Sequence, residues 1–279
     1  MGTSSPNPGQ KPTTPLLPNW SDSAPPVDPQ LPLPPAGNNP EENNNQPLPP
    51  VENNRFRQSR SDFTRYLSSG GHSRASLGGA ISRGISSGYG GSGTASRRMT
   101  ASRYAASNLM NYLGNIQREG LDATLKKISK EDLKGKPPKE IFASLVDVIC
   151  PSDGSIDVGI ARDAFIETII IQSDDIDKDL NFTDEQINTI MIQFISKTIS
   201  LRLFNDIGTK YDFSELDTVS AIQIQESVDG FIFDSVRNEL NNQLSQVDKG
   251  IGRNELDPIV SMIYEKAFEI LRIEAEAIK

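Results

Sequence analysis

Thr183-Asp184-Glu185-Gln186-Ile187-Asn188-Thr189-Ile190-Met191-Ile192-Gln193-Phe194-Ile195 decides the fold class of this chain. Thr183 followed three residues later by Gln186 is a capping box, in which each side chain satisfies a backbone N–H that the first helical turn leaves without a partner. Ile187, Ile190, Met191, Phe194 and Ile195 then recur at the helical spacing of three and four, and the pattern runs on to Gly208. Outward from this helix the same period repeats. Leu109, Tyr112, Leu113 and Ile116 define a helix over 108–119, and 121–128 a short second one. Ile141, Leu145, Val148 and Ile149 define another over 139–149, after the break at Gly135-Lys136-Pro137-Pro138. Asp157 reads as the N-cap of a helix carrying Ala161, Ala164, Phe165, Thr168 and Ile169, although the β-branched 168–172 leaves a strand open there. Residues 216–240 place Ile224, Val228, Phe231, Ile232 and Val236 on one face. A last helix starts at Asp257 with Pro258 in its first turn and carries Ile259, Met262, Ile263, Ala267, Ile270 and Leu271. No repeat of 30–45 residues is visible. The expected fold is all-α, a compact helical bundle over 106–279 preceded by long disordered N-terminal arms.

The arms follow from composition. Only 35% of the 279 residues are hydrophobic, and fifteen of the nineteen prolines lie within 1–50. Residues 1–54, with one Lys against five acids, read as a Pro/Asn-rich acidic arm: proline removes backbone donors, and too little apolar surface is present to offset the entropy of ordering. Leu16-Leu17-Pro18-Asn19-Trp20 is the apolar exception and contains the single Trp, a residue that anchors interfaces, so Leu16, Leu17 and Trp20 are candidate partner-docking residues. Residues 55–105 hold nine Arg and one acid, Asp62, in a Gly/Ser-rich background and read as a basic low-complexity arm. Phe56 and Phe63 within it are further docking candidates, spaced with Leu67 so that helical turns form on binding. Arg55, Arg57, Arg60, Arg65, Arg97, Arg98 and Arg103, interleaved with aromatics, are candidate contacts to nucleic acid or to an acidic surface, since guanidinium binds phosphate bidentately and stacks on bases. The 18 basic and 31 acidic residues of 106–279 provide one such acidic surface.

Chemistry is sparse. One Cys and one His exclude a disulfide scaffold and a multi-histidine metal enzyme. His72 sits among glycines and serines with nothing to fix it as a base, and Cys150, after an apolar helix and before Pro151, reads as an inert buried thiol. No phosphate-binding glycine motif occurs. Asp175, Asp177 and Asp179 match the first positions of a calcium loop, but Leu180 replaces the obligatory glycine and Gln186 the bidentate carboxylate, so no metal and no cofactor is expected. No stretch has the length of a signal peptide or a membrane span, and Pro6 breaks a myristoylation signal; a cytoplasmic protein with no membrane partner is expected. The residues alone therefore indicate a non-enzymatic interaction protein.

Several stretches together resemble a known family. They are MGTSS at the start, TPLLPNW at 14–20, NRFRQSRSDFTRYLSSGG at 54–71, ASRRMTASRYAASNL at 95–109, VICPSDGSIDVGIARDAFIET at 148–168 and LRLFNDIGTK at 201–210. The chain resembles the QatB component of the bacterial Qat anti-phage defence system over nearly its whole length. The resemblance implies an operon with three partners, an ATPase subunit, a QueC-like enzyme and a TatD-like nuclease, and it carries over no catalytic residues. It also suggests a chemistry for the N-terminus. QueC-like enzymes activate a deazapurine carboxylate with ATP and condense it with ammonia. Loss of Met1 leaves the Gly2 α-amine, unhindered by a side chain, to take the place of ammonia, with Thr3 and Ser4 as small hydrogen-bonding contacts. The expected function is thus a non-catalytic defence subunit whose N-terminal arm is recognised, and covalently modified at Gly2, by the QueC-like enzyme. The alternative is a nucleic-acid-binding adaptor acting through the basic arm.

Overall fold

The computed structural model describes residues 54–172, 180–208 and 217–279, and every described residue belongs to one unit, Leu48–Lys279. The docking candidates Leu16, Leu17 and Trp20, the N-terminal Gly2, Thr3 and Ser4, and the acidic run with Asp175, Asp177 and Asp179 lie outside the described residues. Ten α-helices, one π-helical turn and one 3-10 turn account for the described architecture, and no strand occurs among the described residues. They are α1 (Arg57–Ser68), α2 (Arg74–Arg83), the π turn (Gly84–Tyr89), α3 (Ser92–Arg97), α4 (Thr100–Glu119), α5 (Leu121–Lys127), the 3-10 turn (Glu131–Leu133), α6 (Pro138–Ile149), α7 (Ile156–Gln172), α8 (Asp184–Ile207), α9 (Thr218–Ser245) and α10 (Arg253–Ala277).

The capping box forms as read. Thr183 Oγ1 accepts from the Gln186 N–H at 3.2 Å, and Gln186 Oε1 accepts from the Thr183 N–H at 2.9 Å. Helix α8 is apolar on more than one face, because it lies between α4, α7 and α9 and buries Ile187, Ile190, Met191, Phe194, Ile195, Ile199 and Leu203. The β-branched end of α7 is helical, which resolves the strand left open at 168–172. Its cap is Ser155, whose Oγ accepts from the Val158 N–H at 3.3 Å; Asp157 lies inside the helix and pairs with Arg202 instead. Helix α10 starts four residues before the expected Asp257, with the Gly252 N–H donating to Glu255 Oε2 at 3.2 Å, and so carries Pro258 inside its length. Met262 faces solvent.

The largest departure concerns residues 55–105. They form α1, α2, the π turn, α3 and the start of α4, packed into the same core as the rest. The basic low-complexity arm is therefore corrected to part of the helical body, whose helices begin at Arg57 rather than near 106. Two physical reasons account for this. Phe63, Tyr66 and Leu67, then Leu77, Ile81 and Ile85, each recur at helical spacing and are all buried, each worth about 1.5–3 kcal/mol on removal from water. The glycines that suggest a linker are contact points: a Cβ on Gly78 would collide with the Ala275 carbonyl oxygen of α10, and one on Gly88 with the Phe56 ring. Small residues here let helix backbones approach. The single acid of the stretch, Asp62, is buried and held by Arg83 and, at 3.0 Å, by Arg65. A buried carboxylate without such partners would cost several kcal/mol, on the order of 3–5.

Candidate functional site

Phe56 and Phe63 are both buried, which removes them from the docking candidates. Phe56 meets Tyr89 edge-on at 5.0 Å between ring centroids, and Phe63 meets Phe204 of α8 at 5.4 Å. The arginines divide into two groups. Arg55, Arg57 and Arg65 are exposed. Arg60, Arg97, Arg98 and Arg103 are half-buried. Arg60 Nε donates to the Asp206 carbonyl at 2.9 Å, and Arg103 donates to Ser261 Oγ at 2.6 Å while burial lowers its pKa.

Of the half-buried group, Arg60 and Arg98 lie by the cluster that the π turn builds around Tyr89 and Asp206, whereas Arg103 points to α10. A π turn inserts one extra residue per turn and re-aims the side chains after it, a distortion that recurs at functional positions. Here it sends Tyr89 inward, where its hydroxyl donates to Asp206 Oδ2 at 2.7 Å. Arg202, one turn before Asp206 on α8, donates through Nε to the same oxygen at 2.8 Å and through Nη1 to Asp157 of α7. Asn205 donates to Asp206 Oδ1 at 3.0 Å. Burial, then the Asp206 charge, holds the Tyr89 hydroxyl well above the ordinary phenol range. Burial pulls Arg202 down, but Asp206, Tyr89 and Asp157 outweigh it and leave the guanidinium more basic than usual. Arg98 is lowered by burial and by the neighbouring charges of Arg55 and Arg202. The phenol thus stays protonated at neutral pH, and the arrangement ties the π turn to α8 and α8 to α7.

Beside Asp157 a cleft of about 400 Å³ opens between the start of α4 and the start of α7, lined by Ala101, Tyr104, Cys150, Pro151, Val158 and Ala161. The Arg253 guanidinium stacks over the Tyr104 ring at 3.8 Å from its centroid. Cys150 is buried beneath, with Sγ 3.7 Å from the Ala161 carbonyl. Burial pushes its thiol up to about 12, and Arg162 only partly opposes this, so the inert reading of Cys150 agrees with its setting. His72 is exposed, and no group of three or more potential metal-ligating side chains occurs among the described residues. No described helix is long and apolar enough to cross a membrane. Sequence reasoning missed the Tyr89–Asp206–Arg202 cluster, whose members carry no shared local motif.

These features define a class: an all-α protein in which a Gly/Ser/Arg-rich N-terminal helical layer packs into one core with longer helices and is tied to α8 by the hydrogen bonds of Tyr89 and Arg60 to Asp206. The family of QatB, the Qat anti-phage system associated protein, matches residues 90–271, from just after Tyr89 into α10, and the chain belongs to that family. It is accordingly a component of the Qat anti-phage defence system, with partners inside that system. No curated protein and no solved structure matches the chain.

Proposed function

We propose that this chain is a non-catalytic, cytoplasmic subunit of the Qat system whose N-terminal arm is the substrate of a QueC-like partner enzyme. The other expected partners are the ATPase subunit and the TatD-like nuclease. Gly2, once Met1 is removed, supplies the acceptor amine, and Thr3 and Ser4 fit a narrow entrance to the partner's site. An α-amine has a pKa near ~8, so a usable fraction is neutral and nucleophilic at cellular pH. Its lone pair attacks the activated carboxyl carbon of the deazapurine; an amide bond forms, the activating group departs with the bonding electrons, and the nitrogen sheds a proton. Leu16, Leu17 and Trp20 serve as the docking element. Membership of the Qat family is the observation that carries this reading.

Intact-mass analysis of the chain co-produced with its operon partners tests it. The expected result is a mass gain confined to the first peptide and dependent on the QueC-like enzyme. An N-terminus that is untouched, or has lost only Met1, sinks the proposal. The alternative adaptor reading has a smaller surface at its disposal than the sequence suggests. Of its seven arginines only Arg55, Arg57 and Arg65 are exposed, and Arg65 is engaged with Asp62.

A further inference from the structure

Helix α1 carries an outer face of one chemical kind. Arg57, Gln58, Ser61, Thr64, Arg65 and Ser68 are all exposed. At about 100° per residue, these six fall within about a third of the helix circumference. The opposite side buries Phe63, Tyr66 and Leu67 as α1 packs on α2 and α8. The outer face holds no carboxylate and no apolar side chain. The one acid of α1, Asp62, is buried, and two guanidiniums share it: Arg65 at 3.0 Å, and Arg83. Two cations on one anion leave a positive surplus, and the Arg65 side chain is still 67% exposed. Arg55, also exposed, stands just before the helix.

Such a face suits phosphate. Arginine, serine, threonine and glutamine are side chains that bond phosphate oxygens without reading bases. A protein partner needs a buried aromatic or aliphatic anchor at the centre of its interface, and this face has none. Single strands are held by stacking bases on aromatic rings. Here Phe56, Phe63, Tyr66 and Tyr89 are all turned into the core. Residues 106–279 hold 31 acidic against 18 basic residues, so a polyanion is repelled by most of the body and steered to the acid-free side.

We propose that the outer face of α1 binds the sugar–phosphate backbone of a double-stranded nucleic acid, without sequence preference. Arg55, Arg57 and Arg65 neutralise phosphates, and the hydroxyl and amide side chains between them add hydrogen bonds. This rests on the adaptor alternative and narrows it from seven arginines to one helix face. It does not involve Gly2, and its test uses the chain produced without the QueC-like enzyme.

The full chain is titrated into a fluorescein-labelled duplex of about 20 base pairs, two helical turns, with binding read by fluorescence polarisation. DNA and RNA duplexes of one sequence are run side by side, and the tighter names the partner. With three phosphates neutralised, the logarithmic salt slope is expected near about −2.7, a loss of about fortyfold in affinity between about 50 and about 200 mM salt. Arg57→Ala is expected to reduce that slope by about 1. Gln58→Glu combined with Ser61→Glu puts two carboxylates on the face near the start of the helix, where acids and helix formers are tolerated. It is expected to weaken binding about tenfold or more. Lys126→Glu, exposed on α5, changes the net charge by the same amount away from α1 and is expected to stay within about twofold of native. Circular dichroism verifies that each variant is folded, and Arg57→Ala decides alone if the double variant is not. Absence of binding at about 50 mM salt, a single strand bound as tightly as the duplex, or displacement by polyglutamate of equal charge would overturn the proposal. So would a folded double variant within about twofold of native, which would leave the adaptor reading to the other arginines.

Discussion

The Tyr89 hydroxyl and the Asp206 carboxylate lie 2.7 Å apart across 117 positions of sequence. One belongs to the Gly/Ser/Arg-rich N-terminal layer and the other to the central helix α8. Their bond, with the Arg202 pair behind it, ties a stretch that composition assigns to a tether into the packed body.

Tyr89→Phe keeps the ring against Phe56 and Phe268 and removes only the donor. Asp206 then retains Arg202 and Asn205, so the expected loss is about 1–2 kcal/mol in chemical denaturation. Asp206→Asn also leaves Arg202 with one fewer counter-charge and is expected to cost more than Tyr89→Phe. The reverse order would show that the phenol, not the charge, organises the cluster.

Gly78→Ala pushes α2 away from the Ala275 carbonyl of α10. The expected destabilisation is about 1–3 kcal/mol, although alanine is the better helix former. An unchanged or raised melting temperature would mean that these helices are not held close in solution.

The Cys150 thiol, raised to about 12 by burial, is neutral in the folded chain and ionises at its ordinary value once unfolded. The folded state therefore holds its proton more tightly. Its contribution is fully present below the ordinary thiol range and is lost as pH rises toward 12, with a slope of at most about 1.4 kcal/mol per pH unit. The buried tyrosines Tyr89, Tyr112 and Tyr264 are raised too and act in the same direction at still higher pH. Cys150→Ala should flatten the lower part of the alkaline stability curve. In the native chain a thiol reagent at mild pH should label Cys150 only as fast as the protein opens.

Deleting residues 2–20 removes Gly2 and the Leu16, Leu17 and Trp20 element without touching any described helix. Phage protection is expected to be lost, while the thermal unfolding of the helical body stays where it was. Retained protection would show that the arm is not the part of the chain that the system uses.

The long helices could be read in the sequence because their signals are local. A capping box and five apolar residues at helical spacing within thirteen positions place α8, and the stop at Gly208 is equally plain. The N-terminal layer could not be read from composition, because glycine, serine and alanine have two opposite uses. In a linker they leave the chain unconstrained; in Gly78 and Gly88 they let one backbone or ring touch another, and only the contact across the fold distinguishes the two. The periods of Phe63, Tyr66 and Leu67 and of Leu77, Ile81 and Ile85 were the available local clues. The start of α7 shows a similar limit. Ser155 and Asp157 are both competent caps, and the choice falls to Ser155 because a distant arginine, Arg202, claims Asp157.

Helices α2 and α3, near the beginning of the described residues, rest on α10, which follows them by more than 150 positions. During synthesis their seat does not exist until the 25 residues of α10 have left the ribosome. Leu77, Ile81 and their neighbours must wait in the open until then, and a message that stalls or is cut short before α10 would release a product whose N-terminal helical layer has nowhere to settle.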